Sequence, residues 1–342
     1  MQLLTALILF AVLFLASLVG TRALITLLTR RAVIDVPNER SSHAVPKPRG
    51  GGIAVVTVML VGWIGWLAID GSLDGKSLLL AGLTAGLAVL SFIDDLKNLP
   101  ARLRLLVQAL AVAAGLLATV PEAGFSNGLL PVWIELPLAG FAWLWFVNLF
   151  NFMDGIDGIT GVETISIGGG LIGLGVISGL GAAVQVPALA MVAAIAGFLV
   201  WNWQPSKIFI GDVASIPLGF FAGWMLLETG ASSSGGLAGW AAVLLLPGYY
   251  LCDATYTLLK RALRRENVFE AHRQHFYQQA TQRGFSHAGA CLAIAGLNAG
   301  LIALALFMAP VYPVYSVAAG LGAVILLCLL FRRGGLKAET AA

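Results

Sequence analysis

The chain has 342 residues, 59% of them hydrophobic and 11% charged, with a formal net charge of +3. A soluble domain carries about 25% charged residues, so the composition excludes an ordinary water-soluble fold and points to an integral membrane protein. Its unbroken apolar runs are too long for barrel strands and suit helices, which need roughly 20 apolar residues to cross a bilayer.

About eleven transmembrane helices are predicted, near 3–28, 50–69, 77–93, 105–120, 136–153, 159–180, 185–203, 214–230, 236–252, 288–309 and 314–331. The expected fold is therefore all-α and polytopic, one transmembrane domain over 1–342. The first run is too long for a signal-peptide core and is read as a retained helix. The longest polar connector, 253–287, is too short for a second domain. Cys252, Cys291 and Cys328 lie in or beside apolar runs without ligand-like spacing and read as small buried hydrophobes. The sixth run is crowded with glycine, including Gly169 and Gly173 at small-xxx-small spacing, which predicts close helix packing within the chain and leaves room for a homodimer face.

The connectors alternate in charge. Those near 30–49, 94–104, 204–213 and 253–287, together with the tail from Arg332, hold 18 of the 20 Lys and Arg residues. Arg22 lies inside the first run, within snorkelling reach of its basic end. By the positive-inside rule these connectors, and the short turn 154–158, face the cytoplasm, with the N-terminus outside and the C-terminus inside. Asp94, Asp95, Asp154, Asp157, Asp212 and Asp253 then gather at the inner membrane surface. An ion-coupled transporter would place carboxylates near the bilayer midplane, and no Asp or Glu falls near the middle of a predicted span. Chemistry at the inner face is favoured; a multi-span transporter or flippase of a lipid-linked or nucleotide substrate is the alternative.

Five polar stretches carry candidate chemistry. In the first, His43, Lys47 and Arg49 precede Gly50-Gly51-Gly52; glycines admit a ligand close to the backbone, and the cations suit phosphate. A basic stop-transfer loop is the plain alternative. In the second, Asp94 and Asp95 are adjacent carboxylates at a helix end, where the dipole disfavours them and a cation beside them would relieve the repulsion. The third, Asn148 to Gly158, interrupts two apolar runs with Asn148, Asn151, Asp154 and Asp157 at three-residue spacing, so four oxygen-bearing side chains would share one side of a helix or turn. The fourth sets Asn202 and the aromatic Phe209 ahead of Gly211-Asp212. Asp212 is a sensible helix cap, whereas an amide beside a ring suits a nucleobase. The fifth is His272-Arg273-Gln274-His275; helical spacing would align its histidines, and the neighbouring arginines favour an anion over a metal. Lys260 to Arg265 read as lipid-facing cations.

The order and spacing of DD, NxxNxxDGIDG, NxxPxKxFxGD and HRxH, from His43 to Gln278, resemble the polyprenyl-phosphate N-acetylhexosamine-1-phosphate transferase family. The SSHxxPxPRGGG connector looks like its O-antigen-initiating branch. The resemblance implies transfer of a sugar-1-phosphate from a UDP-N-acetylhexosamine to undecaprenyl phosphate with release of UMP, Mg²⁺ (or Mn²⁺) as cofactor, membrane lipid as surroundings and no nucleic acid as partner. It makes Asp94 and Asp95 the catalytic pair and possible metal ligands, Asp212 a metal ligand with Asp154 a further candidate, and Asn151, Asp154 and Asp157 the segment around nucleotide and metal. Asn202 and Phe209 match uridine-pocket positions, and His272 and His275 the motif that meets the diphosphate. Asn98 departs from the acid or base common in relatives, and Arg273 and Gln274 replace the middle of a triple-histidine form.

Overall fold

The computed structural model describes residues 2–35, 45–122, 124–126, 130–178, 182–232, 236–268 and 272–334. In chain order the helices are α1 (Leu3–Arg30), α2 (Gly52–Asp70), α3 (Gly75–Lys97), α4 (Ala101–Thr119), α5 (Val132–Phe152), α6 (Ile159–Ser178), α7 (Ala182–Asn202), α8 (Asp212–Ala231), α9 (Gly236–Leu245), α10 (Gly248–Leu263), the short α11 (Phe276–Gln282), α12 (His287–Ala303), which continues as a π-helical turn to Met308, and α13 (Pro313–Arg333). Among the described residues ten are long and apolar enough to cross a membrane, and α9 with α10, bent by 65° at their break, pass the same test of length and composition only as a pair. The eleven expected spans thus become ten helices and a broken pair. The expected end of the ninth at 252 falls short: α10 runs on to Leu263, so Asp253 sits inside a helix.

The bundle is organised around α8, which is buried along nearly all its length and packs on α2, α3, α5, α9 and, less extensively, α4, α6 and α7. It is the least apolar span, whereas α1, the most apolar, is mostly exposed. The inversion is physical: only a lipid-facing helix must be apolar all round, whereas an inner helix needs small residues for close approach. Gly219 meets Val147 and Phe150 of α5, and Gly223 meets Trp143. Several glycines of α6 serve intrachain packing, Gly168 against α7, Gly170 against Leu246 and Gly173 against Leu306, but Gly169, expected to pack with Gly173, faces open space.

Two connectors are sewn together where the site forms. Strand β1 (Ile34–Asp35) pairs antiparallel with β2 (Lys47–Pro48). Phe209 donates its N–H to the Pro48 carbonyl (2.9 Å) and accepts from Gly50 and Gly51 N–H (3.2 and 2.9 Å), while Gly52 N–H reaches the Ile210 carbonyl (2.9 Å). A side chain at Gly52 would collide with Ala214, so the starts of α2 and α8 lie in contact.

A buried acid that lay outside every motif sits beside the broken span. Glu163, in the second turn of α6, is fully buried. Its Oε2 accepts from Asn298 Nδ2 of α12 (2.7 Å), while Oε1 has no hydrogen-bond partner. Tyr250, in the first turn of α10, lies alongside. Glu163 thus ties α6 to α12 next to the start of the half-helix α10.

Candidate active site

Arg49 is the geometric centre. Its Nη2 lies 2.8 Å from Asp95 Oδ1 and 2.9 Å from Asp212 Oδ1, so one guanidinium joins the end of α3 to the start of α8. Burial works against its charge, yet Asp212 and Asp95 hold it above its ordinary value. Asp95 Oδ2 also accepts from Val213 N–H (3.3 Å). Gly211 has φ +76°, and a Cβ there would stand 2.8 Å from Asp95 Oδ2. Both the left-handed backbone and the close approach of the carboxylate require glycine.

The adjacent Asp94 is engaged elsewhere. It accepts from Leu99 N–H (2.6 Å) and pairs with Arg104 Nη1 (2.6 Å), which also stands 3.6 Å from Asp212 Oδ2. Arg104, one turn into α4, resolves the unfavourable dipole of acids at a helix C-terminus. The pair expected to work together is split: Asp95 faces Asp212, and Asp94 positions Arg104.

Beside this cluster lies a second pocket. Lys47 Nζ bonds Ser206 Oγ (2.8 Å), stands 3.5 Å from Asp157 Oδ2 and sits 5.2 Å over the Phe209 ring. Asp157 further accepts from Ser206 N–H and Oγ–H (3.1 and 2.7 Å) and lies 3.6 Å from His287 Nδ1. Burial pushes the Asp157 carboxyl up, but His287, Ser206 and Lys47 outweigh it and hold the group well below the usual carboxylate range. Asn202 corrects an expectation. Its Oδ1 accepts from Gly158 N–H and its Nδ2 donates to the Ile208 carbonyl, both at 2.9 Å, and it is buried. The amide is engaged with backbone and positions the pocket, leaving Phe209 and Lys47 as the groups that can meet a base.

The Asn148–Gly158 stretch ends α5 and turns into α6, but its four polar side chains do not form one row. Asn148 Nδ2 donates back to the Leu144 carbonyl (2.8 Å), and Asn151 Oδ1 accepts from Ser215 Oγ (2.6 Å). Asp154 accepts from Thr160 Oγ1 (2.6 Å). Burial pushes its carboxyl up to about 6, with Thr160 pulling down and Asp212 adding to the rise, so Asp154 shares the field of the Arg49 cluster. The α5–α6 turn packs on α11: Tyr277 OH reaches the Phe152 carbonyl (3.4 Å).

The histidine motif is not helical, contrary to the spacing argument. Helix α11 begins only at Phe276, and His275 is its N-cap residue. Asp253 on α10 accepts from His275 Nδ1, Phe276 N–H, Tyr277 N–H, Tyr249 OH and Thr257 Oγ1 at 3.0–3.4 Å. His275 is 1% exposed and anchors the segment. His272 lies with its ring centroid 4.9 Å from that of His275, and its Nδ1 accepts from Gln274 N–H (3.3 Å), which puts its proton on Nε2. Burial, then His275 and Arg261, lower His272 to about 4, so at neutral pH it is a neutral donor. Arg273 lies between them, its carbonyl accepting from Gln282 Nε2 (3.1 Å). His43 lies outside the described residues.

The motif reading missed Arg104, Thr160, Ser206 and His287. Arg104 and Ser206 stand in connectors already marked as basic or as motif-bearing, whereas His287 opens an apolar helix and carries no local signal. Among the described residues no three His, Cys, Asp or Glu side chains form a ready-made metal cage. The hard oxygen donors of Asp95 and Asp212 could nonetheless hold a divalent cation, since Mg²⁺ takes one or two carboxylates plus substrate phosphates. The Arg49 guanidinium between them shows that the gap accepts positive charge.

Residues 77–230, which carry Asp94, Asp95, Asn148–Gly158 and Asn202–Asp212, match the sequence model of Glycosyl transferase family 4. A phospho-N-acetylmuramoyl-pentapeptide-transferase of Mycolicibacterium paratuberculosis is 30% identical over 62% of this chain and 73% of its own. The chain belongs to glycosyl transferase family 4. A probable undecaprenyl-phosphate N-acetylglucosaminyl 1-phosphate transferase of Bacillus subtilis is 26% identical over 82% of this chain and 80% of its own. An undecaprenyl-phosphate alpha-N-acetylglucosaminyl 1-phosphate transferase of Thermotoga maritima is 26% identical over 72% and 73%. As a glycosyl transferase family 4 member with this span pattern, the chain is a transferase and a multi-pass protein of a bacterial inner membrane.

Proposed function

We propose that this protein transfers an N-acetylhexosamine-1-phosphate, or its 6-deoxy analogue, from a UDP-sugar to undecaprenyl phosphate, releasing UMP, as the initiating step of an O-antigen or other envelope glycan. The observation that carries the reading is the joining of Asp95, Arg49 and Asp212 beside the Lys47–Phe209–Asp157 pocket. Phe209 offers a ring face to the uracil, and Lys47 a cation beside it. The connectors that meet here carry most of the chain's Lys and Arg, which supports a cytoplasmic site.

The reaction forms a bond between an oxygen of the lipid phosphate and the sugar-bearing phosphorus of the donor. It breaks the bond from that phosphorus to the bridging oxygen, which leaves on UMP. The acceptor is largely ionised near neutral pH, with a second pKa about 6, so it needs positioning and charge relief more than a strong base. Asp95 and Asp212, with Asp154 as a further candidate, would hold Mg²⁺, which when bound would neutralise charge on the diphosphate. Arg104 adds fixed positive charge, and Arg49 a further cation at the same cluster. His272, neutral and protonated on Nε2, suits donation to the leaving oxygen. Asp95 is the carboxylate placed to take a residual proton from the acceptor; Asp94 is occupied by Arg104.

The test is UMP release by purified protein given Mg²⁺, undecaprenyl phosphate and a panel of UDP-GlcNAc, UDP-FucNAc and UDP-QuiNAc. Release with at least one donor, lost in Asp212→Asn, supports the reading; failure with every donor refutes it. Exchange of labelled UMP into the donor without acceptor would replace direct attack by a two-step route.

A further inference from the structure

We propose that Arg49 is an exchangeable internal counter-ion. Its guanidinium fills the gap between Asp95 and Asp212, and a divalent cation entering that gap would displace it onto the anionic donor. The inference rests on the proposed metal site, and it adds a competition within that site.

A single nitrogen, Nη2, touches one oxygen from each carboxylate at 2.8 and 2.9 Å. That bridging position is the one a cation shared by Asp95 and Asp212 would take, so the two cannot be occupied together. Asp95 Oδ1 is buried and meets Arg49 in ion-pair rather than hydrogen-bond geometry. A buried carboxylate oxygen held by a single off-axis charge is a poorly satisfied group, and a small hard cation satisfies it better.

The backbone permits the exchange without rearrangement. Arg49 N–H bonds the Val33 carbonyl (3.3 Å), its strand bridges Phe209, and Gly50 and Gly51 are tied to the Phe209 carbonyl. The main chain is fixed, but the side chain is 36% exposed and has a path outward. Arg104 is different: Asp94, which is not one of the two carboxylates that Arg49 bridges, holds it at 2.6 Å, so it stays when the metal enters. The displaced guanidinium keeps its charge and its planar donor fork, which matches phosphate oxygens. Metal and nucleotide-sugar thereby favour each other's binding, because each relieves the position that the other vacates or needs.

The experiment measures Mn²⁺ binding to the full chain in lipid nanodiscs by EPR, with no donor or acceptor, and then with UDP. Arg49→Gln is expected to bind Mn²⁺ about tenfold more tightly or better than wild type, since a unit positive charge beside the ion is removed. Without metal, its melting temperature should fall below wild type, and Mn²⁺ should restore it. Wild type should bind Mn²⁺ more tightly in the presence of UDP, and Arg49→Gln should lose much of that gain. If Arg49→Gln does not fold, Arg49→Lys serves: its ammonium ends one atom short of the bridging Nη2 position, and it too should bind Mn²⁺ more tightly than wild type. Equal or weaker Mn²⁺ binding in a folded variant overturns the exchange while leaving the metal site standing. No Mn²⁺ binding in wild type or in folded variants, with or without UDP, overturns the exchange and the metal site together.

Discussion

Asp94 and Asp95 share a helix turn and hold opposite posts. Asp94 joins the end of α3 to α4 through Leu99 N–H and Arg104, whereas Asp95 faces Arg49 and Asp212. Asp95→Asn should therefore fold and lose transfer by about 100-fold or more, the scale seen when one preorganised electrostatic group is removed. Asp94→Asn should lower stability by roughly 1–3 kcal/mol, leaving buried partners unsatisfied, and reduce activity through a misplaced Arg104. Melting curves and initial rates of the two variants separate these outcomes; equal losses in both would undo the division. His272 offers a pH signature. Its value of about 4 lies below the ordinary 6.5, so the unfolded state binds the extra proton first. The stability from its neutral form is complete above pH 6.5 and is lost as pH falls towards 4. Folded-state melting over pH 7.5 to 4 should drop more steeply in wild type than in His272→Gln. Adjacent acids look alike in a sequence, and spacing alone cannot show that His275 is buried against Asp253 or that Asn202 is engaged at both ends. Those assignments depend on partners that lie far along the chain, such as Gly158 for Asn202.

Spans were the most readable elements, because lipid demands long apolar helices whatever they pack against. Least readable was the ninth, where an apolar run hides a break. Leu246 and Pro247 part α9 from α10, and the buried acid beside that break, Glu163, comes from another helix. Glu163→Ala should leave the Asn298 amide without its acceptor, at a cost of about 1–3 kcal/mol. Glu163→Gln keeps an acceptor and should recover most of the loss. Thermal melting in detergent reads both; an Ala variant as stable as wild type would remove the stabilising role of this tie between α6 and α12. The turn after α5 was legible as a polar knot, but not its internal wiring. The turn lets Asp154 and Asp157 diverge, one towards the Arg49 cluster and one towards Lys47.

At the scale of the whole molecule, the bundle brings five distant stretches to one end of the membrane-spanning helices. The stretches could be read off as motifs, since each interrupts an apolar run with residues that lipid would reject. Their convergence is a product of α8, which carries Asp212 at its start and packs on α2, α3 and α5. The central claim is that the phosphorus atom next to the sugar moves with it. The most direct measurement uses UDP-GlcNAc, or whichever UDP-N-acetylhexosamine the panel selects, labelled with ³²P in the β-phosphate, with undecaprenyl phosphate, Mg²⁺ and purified protein. The account predicts that label enters the solvent-extractable lipid as a diphosphate-linked sugar while unlabelled UMP is released. Label left in water-soluble UDP, with an unlabelled sugar on the lipid, would contradict it.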